Sequence, residues 1–183
     1  GTGSFSIENF PIRPIYMADV DNMRDLGGWK IGTTQRVKYG RLFRGASGNR
    51  SDSWPLVDDG RVEACVRLGI TTEFDIGADD HLTESCITAR TRFNVIYCQS
   101  YPKEAISETG FLLNYPRALH YIVQRLNADS NIWFHCSGGA DRTGSVAFVL
   151  NALLGVSESD LNKDYELTTF SESREIRTRN NTT

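Results

Sequence analysis

His135-Cys136-Ser137-Gly138-Gly139-Ala140-Asp141-Arg142-Thr143-Gly144 is the stretch on which the reading of this chain turns. It follows a short apolar run, Ile132-Trp133-Phe134, and leads into a long apolar-periodic run that begins at Arg142. That pattern predicts a strand, a tight glycine-bearing loop and then a helix. The cysteine stands at the strand end and the arginine at the helix start, with five residues between them. A loop entering a helix N-terminus aims several unpaired backbone N–H groups at one point. Gly138 and Gly139 allow positive φ and a close approach of the backbone to an anion. Arg142 adds a planar fork that can hold two phosphate oxygens. The same positive surroundings favour thiolate over thiol, so Cys136 is predicted to be acidic and nucleophilic. His135 is expected to buttress the loop, and Thr143 to offer its hydroxyl to the Cys136 sulfur. Together these groups suit a tetrahedral oxyanion held in front of sulfur. The plainer alternative makes Cys136 a buried small hydrophobe and Arg142 a surface cation.

The ten residues resemble the signature loop of the cysteine-dependent protein tyrosine phosphatase superfamily: His-Cys, five residues, Arg, then Ser or Thr. Two upstream pieces extend the likeness. Asp21-Asn22-Met23-Arg24-Asp25-Leu26-Gly27-Gly28 and Gly40-Arg41-Leu42-Phe43-Arg44-Gly45 are similar to the Asn-x-Arg-Asp-x-Gly-Gly and Gly-Arg-x-x-Arg motifs of its bacterial and fungal tyrosine/serine phosphatase branch. The resemblance runs from Asn22 to Tyr165. It implies phosphomonoester hydrolysis through a cysteinyl-phosphate, with Cys136 as nucleophile. It also implies phosphate binding by Ser137, Gly138, Gly139, Ala140, Asp141, Arg142 and Thr143. Asn22, Arg24, Asp25 and Arg44 carry over as candidate site-shaping residues, with Arg44 also a candidate substrate-binding cation. A turn or surface pair is the alternative for Arg24 and Asp25. One departure stands out: where the family reads Asp-Leu-Arg, this chain has Asp75-Ile76-Gly77.

A proton donor for the leaving oxygen is also needed. Many relatives are expected to carry an Asp on a loop well before the Cys, but Ser100 to Glu108 contains none. The branch resembled here instead carries an Asp immediately before the signature Arg, and Asp141 occupies that position. A carboxyl group close to a phosphate dianion holds its proton more readily, which suits a donor. Asp141 is the leading candidate, with Glu104 and then Glu108 as alternatives. A helix-start carboxylate favoured by the helix dipole is the plainer reading of Asp141. No cofactor or metal is implied, because Arg142 and the loop amides supply the positive field. Neither His81 nor His120 has a second ligand at metal spacing.

The chain has 183 residues, 39% hydrophobic and 23% charged, which reads as a soluble globular protein. We divide it into an extended N-terminal lead-in, 1–20, and a phosphatase domain, 21–183. A net charge of -3 offers no basic field for nucleic acid. No apolar run is long enough for stable membrane insertion. Gly1 opens the chain without Met, which reads as a processed start; cytoplasmic and secreted or periplasmic locations both stay open. Cys65, Cys86, Cys98 and Cys136 fit neither a zinc site nor a disulfide framework. No sequence signal sets an oligomeric state.

Outward from the loop, strands alternate with helices, which argues an α/β fold with a central, largely parallel sheet flanked by helices. The two N-terminal pieces bracket an expected hairpin with Val37 and Tyr39 in its second strand. A helix is expected over Trp54–Leu68, capped by Asp52 or Ser53 and ended by Gly69. Ile70–Ile76 and Phe93–Cys98 read as strands. Phe111–Leu126 reads as a helix broken at Pro116, with His120 at the core edge. After the loop, Val146, Val149, Leu150, Leu153 and Leu154 form one apolar stripe, and Ser157 with Asp160 caps a last helix. The expected substrate is phosphotyrosine or a dual-specificity phosphoprotein. A phosphoinositide or inositol phosphate is the alternative, less favoured because residues 137–141 include no Lys. Arg24, Arg44, Lys103 and Arg174 are the candidate cations for it. Further alternatives are a catalytically weak phosphate-binding module and a sulfur-transfer or arsenate-reducing enzyme.

Overall fold

The structure, a computed structural model, describes residues 14–17, 20–47, 59–76, 94–97, 108–136 and 138–171, with 94–97, 108–115 and 117 described as backbone. In chain order the elements are β1 (Arg24–Asp25), β2 (Lys30–Ile31), β3 (Gln35–Arg36), β4 (Leu42–Ala46), α1 (Asp59–Arg67), β5 (Ile70–Asp75) and β6 (Asn94–Tyr97). Then follow α2 (Glu108–Asn127), β7 (Asn131–Cys136), α3 (Asp141–Leu153), α4 (Glu158–Glu166) and a 3-10 turn (Leu167–Phe170). Among the described residues five strands make one sheet in the order β1-β4-β7-β5-β6. β4, β7, β5 and β6 run parallel, and β1 pairs antiparallel with β4 at the edge. The α/β reading of the sequence holds, and the loop after β7 leaves from the middle of the sheet, at the carboxyl ends of its strands.

β7 is buried on both faces, as a central parallel strand is. Ile132, Phe134 and Cys136 point to one side, where they meet Ala118 and Ile122 of α2 and Val146, Ala147 and Leu150 of α3. Trp133 points to the other, among Phe43, Ile70, Ala64 and Cys65. Met17 and Val20, from the expected lead-in, belong to that second cluster. A third cluster joins Trp29 to Val156 and Leu161, so the β2–β3 hairpin is fastened to the start of α4.

Several local expectations resolve here. Gly69 ends α1 at φ +64°, and its N–H donates to the Val66 carbonyl at 3.0 Å. The Ser157 hydroxyl caps α4 by accepting from Asp160 N at 3.3 Å. The expected hairpin is present but short. Val37 exchanges bonds with Gly28 and Trp29 beyond it, and Tyr39 lies across Gly27 and Gly28, leaving no room there for any Cβ. α2 is not broken at Pro116. The helix runs through it, and the proline is exposed, where the carbonyl deprived of a partner can turn to water. His120 is exposed on α2, its ring edge-on to Tyr121. The stripe on α3 is shorter than expected: Thr143, Val146, Ala147 and Leu150 are buried, whereas Leu153 and Leu154 in the last turn are 70% and 44% exposed. The expected cap at Asp52 or Ser53 lies outside the described residues. Among the described residues no helix is long and apolar enough to cross a membrane.

Candidate active site

Cys136 is the last residue of β7 and is buried. The Ser47 N–H donates to its carbonyl at 2.7 Å, which ties the ends of β4 and β7 together. The chain then turns through Gly138, Gly139 and Ala140 into α3, where the Gly144 N–H closes the first turn on the Ala140 carbonyl at 2.8 Å. Burial alone would push the Cys136 thiol up. The Thr143 hydroxyl, the Thr143 N–H, the Arg142 charge and the Gly139 N–H reverse that and hold it below the ordinary thiol value. Thr143 Oγ1 is buried and has no nitrogen or oxygen partner among the described residues, which leaves its hydroxyl available to the Cys136 sulfur. Cys65 provides the contrast within one molecule. It is also buried, but it lies among apolar side chains and beside Glu73, and its thiol is pushed up to about 12.

The loop is held from behind. Gly139 has φ +65°, and a Cβ there would stand 2.4 Å from the Gly45 carbonyl carbon and 2.5 Å from Ala46 N. Only glycine lets the loop pass this close to the β4 backbone. The Gly139 carbonyl accepts from Asn22 Nδ2 and from Arg44 Nη2, both at 2.9 Å. In a trans peptide the next N–H points opposite the carbonyl, so this pinning turns the Ala140 N–H to the other side of the loop. Arg44 is wholly buried and also donates to Asp164 Oδ2 at 2.7 Å. Burial and the neighbouring Arg24 charge lower its guanidinium to about 10, against the pull of Asp164. Its place is therefore behind the loop, not at a substrate-facing surface.

His135 supports the strand end from the opposite face. Its Nε2 lies 2.8 Å from Glu73 Oε1 on β5, and the Trp133 ring lies tilted against it by 39°, with 4.6 Å between centroids. Burial alone would lower the imidazole, but the Glu73 bond and charge, with Asp75 and Cys136, raise it above its ordinary value.

The other candidates fall as follows. Arg142 and Asp141 are half-buried in the first turn of α3. Arg142 acts on Cys136 through its charge. The Asp141 carbonyl takes the Ser145 hydroxyl at 2.9 Å. Asp25 is a turn residue: its two carboxylate oxygens accept from Gly27 N and Gly40 N at 2.7 Å each. Arg24 is buried and donates to Asp164, which accepts from Arg44 as well. Glu108 begins α2, with only its backbone described. Ser137, Gly77, Glu104, His81, Lys103 and Arg174 lie outside the described residues. Among the described residues no group of three or more His, Cys, Asp or Glu could hold a metal.

Two residues at the site escape the sequence reading, Glu73 and Asp164. Each leaves a faint signal. Glu73 is a carboxylate inside the apolar run Ile70–Ile76, which requires a buried partner. Asp164 sits three residues after Leu161 on the buried face of α4, and buried Thr168 follows in the 3-10 turn.

Residues 15–183 match the tyrosine phosphatase family, and the chain belongs to it. Among curated proteins it is similar to one from Cupriavidus necator named as a tyrosine-protein phosphatase, with 26% identity over 168 residues and 80% of this chain covered. The chain spans 59% of that relative's length. Among solved structures it is similar to P. aeruginosa TpbA, with 16% identity, a TM-score of 0.50, and 70% of this chain and 71% of that one covered. TpbA has also been solved in complex with pTyr, matching at the same identity and TM-score with 70% of each chain covered. The core catalytic domain of the PP-IP phosphatase SIW14 from S. cerevisiae, in complex with citrate, matches with 15% identity and a TM-score of 0.51, covering 74% of this chain and 75% of that one. These structures share the fold.

Proposed function

We propose that this chain hydrolyses phosphomonoesters through a cysteinyl-phosphate, acting on phosphotyrosine and, as a dual-specificity enzyme, on phosphoserine or phosphothreonine. One observation carries the reading. Of the two buried cysteines among the described residues, the one at the end of β7 stands at the head of α3, where amides, a hydroxyl and Arg142 favour its thiolate, while Cys65 lies among apolar side chains beside Glu73, which do not.

In the first displacement the Cys136 thiolate attacks phosphorus in line. A sulfur–phosphorus bond forms as the bond to the ester oxygen breaks, and Asp141 gives that oxygen its proton. Water then attacks phosphorus and loses a proton to Asp141, the sulfur–phosphorus bond breaks, and inorganic phosphate leaves. Arg142 and the loop N–H groups stabilise the equatorial oxygens in both steps. Thr143, with its hydroxyl on the sulfur, eases departure of the thiolate.

A phosphoinositide or inositol phosphate substrate is the second reading, favoured by the likeness to the PP-IP phosphatase SIW14. The absence of Lys from residues 137–141 weighs against it. Both readings are tested on one panel of phosphotyrosine, phosphoserine and phosphothreonine peptides, phosphoinositides and inositol phosphates. Turnover of phosphotyrosine peptides, lost in Cys136→Ser, is expected. Preference for the lipids or inositol phosphates would replace the first reading by the second. No turnover of any ester, with phosphate binding intact, would leave a binding module.

A further inference from the structure

Arg24 and Arg44 are direct cross-strand partners on β1 and β4, and both guanidinia are buried. Like charges set opposite one another repel, more so away from water. Asp164 of α4 divides its carboxylate between them. Oδ1 accepts from Arg24 Nε at 3.3 Å, and Oδ2 from Arg44 Nη1 at 2.7 Å. The Asp164 carbonyl takes Arg24 Nη2 at 2.7 Å. With one arm of its fork on Asp164, Arg44 points the other at the Gly139 carbonyl, 2.9 Å away. The next residue on α4, Tyr165, packs on the loop's helix: a Cβ at Gly144 would lie 3.1 Å from its ring and 3.2 Å from Arg44 Nη2.

Buried ion clusters add little net stability compared with apolar packing of the same volume. Stability is therefore a poor account of two arginines and an aspartate sealed behind a loop. The cluster's outward bond suggests another role. We propose that Asp164 is a positioning residue for the phosphate loop. By offsetting one of the two arginine charges and aiming Arg44, it fixes the Gly139–Ala140 peptide and with it the direction of the Ala140 N–H. The idea rests on the loop being a phosphate site and names the residue that sets its shape. Two readouts do not depend on turnover. They are the pH midpoint of Cys136 alkylation by iodoacetamide, followed by peptide mass spectrometry, and the affinity for orthovanadate as a phosphate mimic.

In the full chain, Asp164→Asn is expected to lower kcat on para-nitrophenyl phosphate roughly a hundredfold, as a loop displaced by an ångström would. It should also raise the alkylation midpoint and weaken orthovanadate binding. Arg44→Lys keeps the charge but loses the fork, and Asn22→Ala removes the other bond to the Gly139 carbonyl. Both should move the same readouts in the same direction, and they carry the test if Asp164→Asn does not fold. Leu161→Ala loosens the same helix without touching the cluster. It should lower the melting temperature while leaving the alkylation midpoint and kcat as in the wild type. The proposal is overturned if folded Asp164→Asn, or in its place both other variants, keep the wild-type midpoint and orthovanadate affinity. It is equally overturned if Leu161→Ala shifts the midpoint as far as they do. A wild-type chain that binds orthovanadate but turns over no ester, with these shifts present, would support the positioning role and end the hydrolytic reading. A wild-type chain that neither binds orthovanadate nor has an acidic thiol would end both.

Discussion

Replacing Gly139 by Ala tests the loop's dependence on its contact with β4. Two costs combine. The residue sits at φ +65°, where an L side chain costs about 1–2 kcal/mol. The new Cβ would also lie 2.4–2.5 Å from the Gly45 carbonyl group and Ala46 N. Those are backbone atoms of a central strand and cannot swing aside, so overpacking adds about 1–3 kcal/mol. The expected destabilisation is about 2–5 kcal/mol, a fall in Tm of roughly 4–20 °C for a domain of this size. Gly32→Ala provides the reference. It has φ +59° but nothing within 4 Å of the added Cβ, so it carries the backbone cost alone, about 1–2 kcal/mol. Thermal melts of both variants, with orthovanadate binding measured beside them, separate the contributions. Gly139→Ala should melt lower than Gly32→Ala and bind orthovanadate more weakly, because the displaced loop draws the Gly139 carbonyl from Asn22 and Arg44. Equal melting temperatures and unchanged binding would refute the reasoning.

Iodoacetamide at pH 6 should label Cys136 and leave Cys65 unlabelled in the folded chain, since the first thiol is lowered and the second stands near 12; peptide mass spectrometry reads this directly, and labelling of Cys65 ahead of Cys136 would contradict it. Asp141→Asn should reduce kcat steeply for phenyl phosphate, whose leaving group needs a proton, and far less for para-nitrophenyl phosphate. Equal losses on both would remove Asp141 from the donor role. Glu73→Gln should lower stability at pH 6 by about 1.5–3 kcal/mol, the range for a hydrogen bond to a charged group. Because the folded His135 pKa is raised, its protonated form adds stability that is full below about pH 6.5 and fades as pH rises through the folded value. Urea unfolding as a function of pH should therefore show the wild type losing that increment above pH 6.5, and Glu73→Gln following a flatter profile.

The parts legible in the sequence are those whose chemistry is local. Cys136, the glycines and Arg142 lie within one strand–loop–helix unit, and Ser157 with Asp160 within one helical turn, so the local residue pattern, for the loop together with its family resemblance, points to them. Arg44 was visible as a motif residue, but its direction was not. A cation in a phosphate-binding chain reads as a substrate contact until its fork is found occupied by Asp164 and the Gly139 carbonyl. Asp164 itself lies 140 residues from Arg24 and 120 from Arg44, and nothing in the helical pattern of α4 names those partners. Glu73 and His135 meet only because β5 and β7 pair with Asp75 beside His135, a register that single-strand periodicity does not encode. At Pro116 the local rule predicted a break, but an exposed proline on a long amphipathic helix left the packing of Ala118 and Ile122 intact.

The central claim, that Cys136 is the atom to which phosphate is transferred, is tested by quenching the full chain in acid during turnover of para-nitrophenyl phosphate and mapping the modification by mass spectrometry. The account predicts phosphate on the Cys136 sulfur, absent from Cys136→Ser. Turnover that leaves Cys136 unmodified, or that survives in Cys136→Ser, would contradict it.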